Sequence, residues 1–352
     1  MLPYWLLLGL FSVGAIYFEG RRLQDLPVLP MVLASAFTAI MIGLRYEVGS
    51  DWEPYRLIFW EIRFSSLGEA ILRSDPSYGL LNWLVRRAGL DLWAVNLACG
   101  AIFMVGLHRF ARRQASPWLV MAAATPYLII VVGMGYNRQA TALGLALLAL
   151  NAIQVRKFGW FLGFMLLAAT FHRSSLLLLP IVALSYSHNR LLTGFLAALA
   201  TGIGYFFIVA PEVDTYISRY GGAEQGAIES QGTVVRVLMN LLPAILFFGF
   251  RARFPANAEY TKIWRNFSFF ALVSLAALVY FGNNTAVDRL SIYLVPLQLF
   301  VLGNLPSALG GGRGTSRLAT MLIVSYAAVI QVVWLMLASN AKFWLPYRLF
   351  PL

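Results

Sequence analysis

Six ionisable residues stand at the ends of apolar segments, where hydrocarbon excludes charge unless it has a partner or a ligand. They form four clusters: Arg45 in GLRYEVGSDW, Arg138 in GYNRQA, His172 and Arg173 in TFHRSS, and Asp288 and Arg289 in NNTAVDRLSIY. Arginines that face one cavity repel each other unless an anion lies among them. A guanidinium matches phosphate oxygens with paired planar donors and stays charged when buried. The clusters therefore predict a site for an anion such as a pyrophosphate.

Two residues in or near these clusters could accept a proton. Asp51 lies in the loop after an apolar segment, where a carboxylate could act as general base on an arriving sugar hydroxyl. His172 could accept the same proton, or it could donate a hydrogen bond to a phosphate oxygen. Structural interpretations compete with these. Asp51 could cap the helix that follows, His172 could be a polar residue satisfied by its neighbours, and each arginine could reach lipid head groups or pair with a nearby acid.

The predicted site has a catalytic set and a larger substrate-binding set. The catalytic set is Asp51, Arg138, His172, Arg173 and Arg289. The substrate-binding set is Arg45, Tyr46, Trp52, Tyr55, Asn137, Gln139, Ser174, Asp288, Tyr293, Trp344 and Tyr347. No cofactor or metal is predicted, because the single cysteine and the three histidines have no metal-ligand spacing.

The elements that must position these residues are membrane helices. Hydrophobic residues make up 60% of the 352, charged residues only 12%, and the mean hydropathy is +0.72. Soluble domains carry about 25% charged residues. The sequence predicts an all-α, polytopic transmembrane helix bundle with about 12 spans, in a range of about 10 to 14. The predicted spans are 2–18, 28–44, 91–107, 117–133, 139–155, 158–170, 175–187, 191–209, 237–250, 266–282, 290–303 and 318–338.

An outward N-terminus brings all four clusters to the outer face and leaves most acids there. Basic residues divide almost evenly between the two faces, so the inner face has a net positive charge because it has few acids. This charge suits attraction to anionic lipid and needs no nucleic-acid partner. The whole chain, 1–352, is predicted as one membrane domain with outer loops at 45–90 and 210–236. We expect an amphipathic helix on the outer interface after Asp51, with Pro54 at its first position, and a surface or re-entrant helix at 76–90.

Two further patterns predict packing and membrane contacts. Gly159 and Gly163 form a GxxxG, which is typical of helix packing. Trp344 and Tyr347 suit an interfacial aromatic belt, with sugar stacking as the alternative.

An ordered set of motifs resembles a known family. GLRYEVGSDWEPY, DPSYGLLNWLVRRAG, YNRQA, AATFHRSS, DRLSIY and a late WLPY together resemble the EpsG family of bacterial exopolysaccharide proteins, which are Wzy-like polymerases. The resemblance runs over about 40–347. It implies a glycosyltransferase of the bacterial inner membrane that joins oligosaccharide repeats carried on undecaprenyl pyrophosphate, with its active site at the periplasmic face. It also implies lipid-linked oligosaccharides and membrane lipids as partners, with a chain-length regulator protein as a further candidate.

The residues and the resemblance lead to one mechanistic hypothesis. Arg138, Arg173 and Arg289 hold the departing pyrophosphate, and Asp51 or His172 deprotonates the attacking hydroxyl. Arg45 orients that base or a phosphate. Inversion follows from a single displacement, whereas a two-step route retains configuration. The alternatives are a transporter of lipid-linked sugars, an O-antigen ligase or other lipid-dependent transferase, and a membrane acyltransferase that uses His172.

Overall fold

The computed structural model describes residues 1–186, 232–254, 257–282, 285–310 and 316–350. Within these ranges the chain is α-helical, and strand-like pairing is limited to an isolated bridge between Arg45 and Leu349. The predicted all-α class is confirmed for this part of the chain. The residues divide into two compact units, Met1–His172 with Leu302–Leu352, and Arg173–Val301.

Within the described residues, the first unit contains ten α-helices and the last turns of an eleventh. They are α1 (Leu2–Tyr17), α2 (Val28–Gly43), α3 (Trp52–Glu61), α4 (Leu67–Arg73), α5 (Pro76–Arg87), α6 (Leu92–Ala111), α7 (Pro117–Ala124), α8 (Asn137–Gln154), α9 (Phe158–Phe171), and α14 (Arg317–Val332). The second unit contains α10 (Leu178–Tyr186), α11 (Thr233–Phe250), α12 (Ala258–Phe281), and most of α13 (Thr285–Gly310), whose last turns belong to the first unit.

Local sequence explains where several helices begin and change. Proline occupies an opening position of α1, α5 and α7, where its missing N–H costs no helical hydrogen bond. Ser66 and Glu69 form a reciprocal capping box at the start of α4. The α7 helix continues as a π-helical segment, Thr125–Gly133, which begins beside Pro126.

Five described helical segments are long and apolar enough to cross a membrane. They are Leu92–Ala111, Thr233–Arg253, Glu259–Tyr280, Val287–Gly310 and Arg317–Leu337. Shorter apolar helices coincide with other predicted spans, such as 2–18 and 28–44. The predicted span 191–209 and residues 210–231 of the predicted outer loop lie outside the described residues. The chain is thus a membrane protein, and the count of about twelve spans stays a prediction.

The core of the first unit is built by close helix packing. The α6 helix packs against α2 and α8, and α8 packs against α9. A methyl group added at Gly106 would collide with the carbonyl of Gly144, so these two glycines set the approach of α6 to α8. The predicted packing motif differs, because a methyl group at Gly159 or Gly163 would have nothing within 4 Å. Among the described residues, this GxxxG is not a helix contact.

The α3 helix is amphipathic, as the sequence predicts. Trp52, Tyr55 and Phe59 are buried, and Ile62 continues the same face. That face packs on protein, in a cluster with residues of α5, α6, α8 and α9. Pro54 is the third helical residue rather than the first, because the helix already begins at Trp52. The predicted helix at 76–90 is present as α5.

The segment after α14 folds back onto the beginning of the chain. Tyr46 donates its backbone N–H to the carbonyl of Arg348 at 2.9 Å, and Gly49 donates to Phe343 at 2.7 Å. Trp344 is fully buried, and its indole N–H donates to the carbonyl of Ile130 at 2.9 Å. Its position is therefore in the core and not in an exposed aromatic belt.

Candidate functional site

In the first unit, two basic side chains lie against the carboxylate of a third residue, and each of the three comes from the end of a different helix. Asp75 precedes α5, Arg138 is the second residue of α8, and His172 follows α9. Arg138 Nη1 donates to Asp75 Oδ2 at 3.0 Å, and His172 Nδ1 lies 3.8 Å from the same oxygen. Asp75 stands at the N-cap position of α5 but makes no capping bond with its side chain. The carboxylate instead holds the guanidinium and faces the imidazole.

The Arg138 guanidinium is also held by aromatic rings. It lies 5.7 Å from the centre of the Tyr55 ring and 6.0 Å from that of Tyr78, within the range of a cation–π contact. Both tyrosines are buried. The Arg138 side chain keeps 31% of its surface exposed, whereas Asp75 keeps 9%. Arg138 is thus held by Asp75 and the two tyrosines, and part of its side chain stays accessible to a ligand.

Asp51 lies beside this group, and the pKa of its carboxyl is shifted. It is the N-cap residue of α3, yet its side chain makes no capping hydrogen bond. The Ser50 hydroxyl donates to Asp51 Oδ1 at 3.2 Å. Burial raises the pKa of Asp51, and the Ser50 hydrogen bond and the charges of Arg138 and His172 offset only part of that rise. A carboxyl whose pKa is raised is a better proton acceptor once it is ionised.

Arg45 differs from Arg138 in its burial and in its partners. It is 1% exposed, and its donors go to the carbonyls of Ile42 and Val48 and to Asn137 Oδ1. Asn137 in turn donates to Asn96 Oδ1 on α6. Arg45 therefore connects the end of α2 to the residue next to Arg138. This geometry makes it a support for the site rather than a contact for phosphate.

Three of the four sequence clusters therefore come together in the first unit. The Arg45 cluster, the Arg138 cluster and His172 are joined through Asn137 and Asp75. Arg173 and Arg289 belong to the second unit, where Arg173 is exposed and Arg289 is half-buried. Their place in a shared anion site stays a prediction.

The fourth cluster makes its own contacts within the second unit. Asp288 is buried in an ion pair with Arg236, and the Thr233 hydroxyl donates to it at 3.4 Å. Ser174 and Tyr293 are buried in the same unit. The sequence prediction missed Arg236 because it placed that residue at the end of an outer loop, whereas it lies in the first turn of α11.

The remaining predicted binding residues pack within the first unit. The Tyr46 ring contacts Trp52 and Phe350, each with ring centres 5.6 Å apart. Gln139 is buried. The Tyr347 hydroxyl donates to the carbonyl of Met41 at 2.9 Å, and burial raises the pKa of Tyr347 to about 12.

Sequence reasoning also missed Asp75 and Tyr78, which lie in DPSYG. An acid directly before a helix-opening proline looks like a helix cap, and that interpretation hides its other use. Its other role is visible only in the structure, where Asp75 is the acidic partner of Arg138 in a separate helix.

A family model covers the candidate site. The model of the EpsG family matches residues 28–349 of the 352. The chain belongs to the EpsG family. That span includes every residue of the group around Asp75. No curated protein and no solved structure matches the chain. Membership indicates a polysaccharide polymerase of the Wzy-like kind in general, and hence a glycosyltransferase that uses lipid-linked oligosaccharides.

Proposed function

We propose that this membrane protein joins oligosaccharide repeat units carried on undecaprenyl pyrophosphate, at the periplasmic face of the bacterial inner membrane. The observation that carries the proposal is the partly exposed Arg138, fixed by Asp75 beside His172 and the half-buried Asp51. A fixed cation and a candidate base in one place are what transfer from a pyrophosphate-linked donor requires.

The donor is the growing glycan on its lipid pyrophosphate. Arg138 binds the pyrophosphate through the part of its guanidinium that Asp75 leaves accessible, and His172 donates a hydrogen bond to a phosphate oxygen. Arg173 and Arg289 are the predicted additional cations. Negative charge builds on the pyrophosphate as it departs, so fixed cations stabilise the transition state more than the bound donor.

The acceptor is the non-reducing end of an incoming lipid-linked repeat. Its hydroxyl oxygen attacks the anomeric carbon, the bond from that carbon to the pyrophosphate oxygen breaks, and the proton passes to Asp51. The raised pKa of Asp51 suits this role. His172 is the alternative base. One displacement of this kind inverts the anomeric configuration.

Asp75 and Arg45 are positioning residues in this scheme. Asp75 fixes the direction of Arg138, and Arg45 fixes Asn137, the first residue of α8. Such supports keep the reacting groups within the small tolerance that catalysis permits. Neither residue needs to touch the substrate.

The purified protein, reconstituted with one defined lipid-linked oligosaccharide, tests the function. A ladder of longer products is expected from wild type and is expected to be absent from Arg138→Gln. A product with one added unit on another acceptor would indicate a ligase. Movement of the lipid across the bilayer without product would indicate a transporter, and either result would overturn the proposed polymerase. A chain-length regulator, if one acts, changes the length of the ladder and not its existence.

A further inference from the structure

A second basic site lies at the opposite end of the helices that build the first. The α8 helix begins beside Asp75 and ends at Gln154, whereas α9 runs back from Phe158 to Phe171, next to His172. Between the ends of α6 and α8 and the beginning of α9 is a cavity of about 650 Å³. Helices of this length separate the two sites by roughly 25 Å, at 1.5 Å per residue.

The lining of this cavity is strongly cationic. Arg109, Arg112, Arg113 and Lys157 line it, and no acidic residue does so within the described chain. None of these four side chains forms an ion pair with a carboxylate in the described ranges. Basic residues at a membrane surface often serve only to orient the chain. Orientation requires no cavity, so the grouping of these residues around one needs a separate explanation.

A buried polar atom gives that explanation. Asn151 lies in the wall of the cavity with 7% of its surface exposed, and its Oδ1 has no hydrogen-bond donor within the described residues. A buried carbonyl oxygen without a donor is unfavourable, because the hydrogen bonds that it loses to water are not replaced. A ligand that presents a hydroxyl next to an anionic group would satisfy both the carbonyl and the cations.

The remaining wall is apolar and reaches the membrane-facing side of α9. Trp160 and Phe164 line the cavity and their rings are 5.8 Å apart. Trp160, Leu162 and Leu166 are exposed along the same helix. A ligand with acyl chains could therefore continue from the cavity along α9.

We propose that this basic cavity binds the phosphate of an anionic phospholipid whose head group carries a hydroxyl. The phosphate oxygens take hydrogen bonds from the arginines and Lys157, the head-group hydroxyl donates to Asn151 Oδ1, and the acyl chains lie along α9. This site shares no side chain with the group around Asp75, so it is independent of the proposed polymerase activity. The cavity is therefore a lipid-binding site and not a site for the substrates of the polymerase.

Native mass spectrometry of the full-length protein in detergent tests the proposal. Phosphatidylglycerol is titrated against phosphatidylcholine with identical acyl chains, and inorganic phosphate is the soluble competitor. We expect selective retention of phosphatidylglycerol, and Arg112→Gln with Arg113→Gln should weaken it about thirtyfold, because each basic residue near such a lipid contributes about fivefold. The pair Arg251→Gln with Arg253→Gln removes the same charge from an exposed turn and should leave retention unchanged.

Equal retention of the two lipids would overturn the site, as would equal losses in the two double variants. Displacement of phosphatidylglycerol by millimolar inorganic phosphate would assign the cavity to a soluble phosphate compound instead. If the first double variant fails to fold, Arg109→Gln with Lys157→Gln replaces it with the same expectation. Asn151→Leu tests the role of the head-group hydroxyl. It should weaken the binding of phosphatidylglycerol about fivefold and leave the binding of phosphatidylmethanol, which lacks the hydroxyl, unaffected. Equal effects on both lipids would overturn the role of Asn151.

Discussion

Asp75 accepts a hydrogen bond of 3.0 Å from Arg138 across 63 positions of sequence, so the beginning of α5 is tied to the beginning of α8. The pair joins a carboxylate that is nearly buried to a guanidinium that is a third exposed. Such a pair gives direction more than stability, because solvent at the exposed partner weakens its attraction.

Asp75→Asn should therefore reduce the rate of polymer formation by about a hundredfold, because a small displacement of the reacting group is costly. The rate is measured with purified protein and a defined lipid-linked repeat. Glu61→Gln is the control, since it breaks an exposed pair with Arg73 that includes none of the candidate site residues. The double variant Asp75→Asn/Arg138→Gln should be no slower than the slower single variant. Additive losses would show that the two residues act separately.

Arg138→Lys should lower the rate by about a hundredfold although the positive charge is kept. An ammonium cannot donate to Asp75 and to a phosphate with the planar geometry of a guanidinium. Arg56→Lys is the matched control, because Arg56 forms an exposed pair with Glu53. An Arg138→Lys enzyme with the wild-type rate and normal folding would rule out paired phosphate binding by this side chain.

The pH dependence should distinguish Asp51 from His172 as the base. The active form of Asp51 is the carboxylate, and burial raises its pKa above the ordinary 3.8, so activity should rise with pH through that raised pKa. Asp51→Asn should abolish this acidic limb of the profile, whereas His172→Ala should lower the rate and leave the limb in place. The reverse pattern would assign the base to His172.

The same raised pKa has a consequence for stability. Between the ordinary and the raised pKa the folded protein holds a proton that the unfolded chain has released, so the free energy of unfolding decreases as pH rises through that window. At neutral pH, Asp51→Asn should therefore unfold at a higher temperature than wild type, in a detergent melt followed by size exclusion. A lower melting temperature for this variant at neutral pH would contradict the burial of an ionised carboxyl.

The indole of Trp344 should be a major source of stability. Trp344→Ala removes a fully buried ring and should cost about 3–5 kcal/mol of unfolding free energy. Trp344→Phe keeps much of the volume but loses the hydrogen bond to Ile130, and should cost less. Trp60, with 59% of its surface exposed, is the control, and its replacement by alanine should change stability little. Equal losses at the two positions would contradict the core position of Trp344.

The glycine contact between α6 and α8 gives a further test. Gly106→Ala should lower the melting temperature strongly, because the added methyl collides with the backbone of Gly144 and not with a flexible side chain. Gly159→Ala should be neutral or slightly stabilising, since the methyl meets nothing within 4 Å and alanine favours the helix. A strong effect at Gly159 would show that it packs against another molecule or against a part of this chain outside the described residues.

Much of the fold could be predicted because hydropathy reports directly on apolar helices. The boundaries of α1, α2 and the segment 117–133 agree with the predicted spans to within a residue. The amphipathic face of α3 could be predicted from spacing alone. Its partner could not, because the same face suits a lipid interface and a protein groove equally, and only the positions of α5 and α6 decide.

The site could be predicted in part, for a related reason. Arg138 and His172 were found because charge is rare at the end of an apolar segment. Asp75 was not, because a carboxylate before a proline satisfies the local rules of a helix start. Arg45 was found as unusual, but its burial and its three protein acceptors depend on the turn at Val48 and on Asn137. Residue type indicates that a charge needs a partner, and it does not indicate which one.

The return of residues 343–350 to the region of Arg45 has a consequence for biosynthesis. Tyr46 and Gly49 are translated about three hundred residues before the carbonyls that accept their hydrogen bonds. The first helices are therefore synthesised before these hydrogen bonds can form. The hydrogen bonds that tie residues 343–350 to the loop before Asp51 form only after residue 350 has been synthesised, so this part of the candidate site is completed at the end of translation.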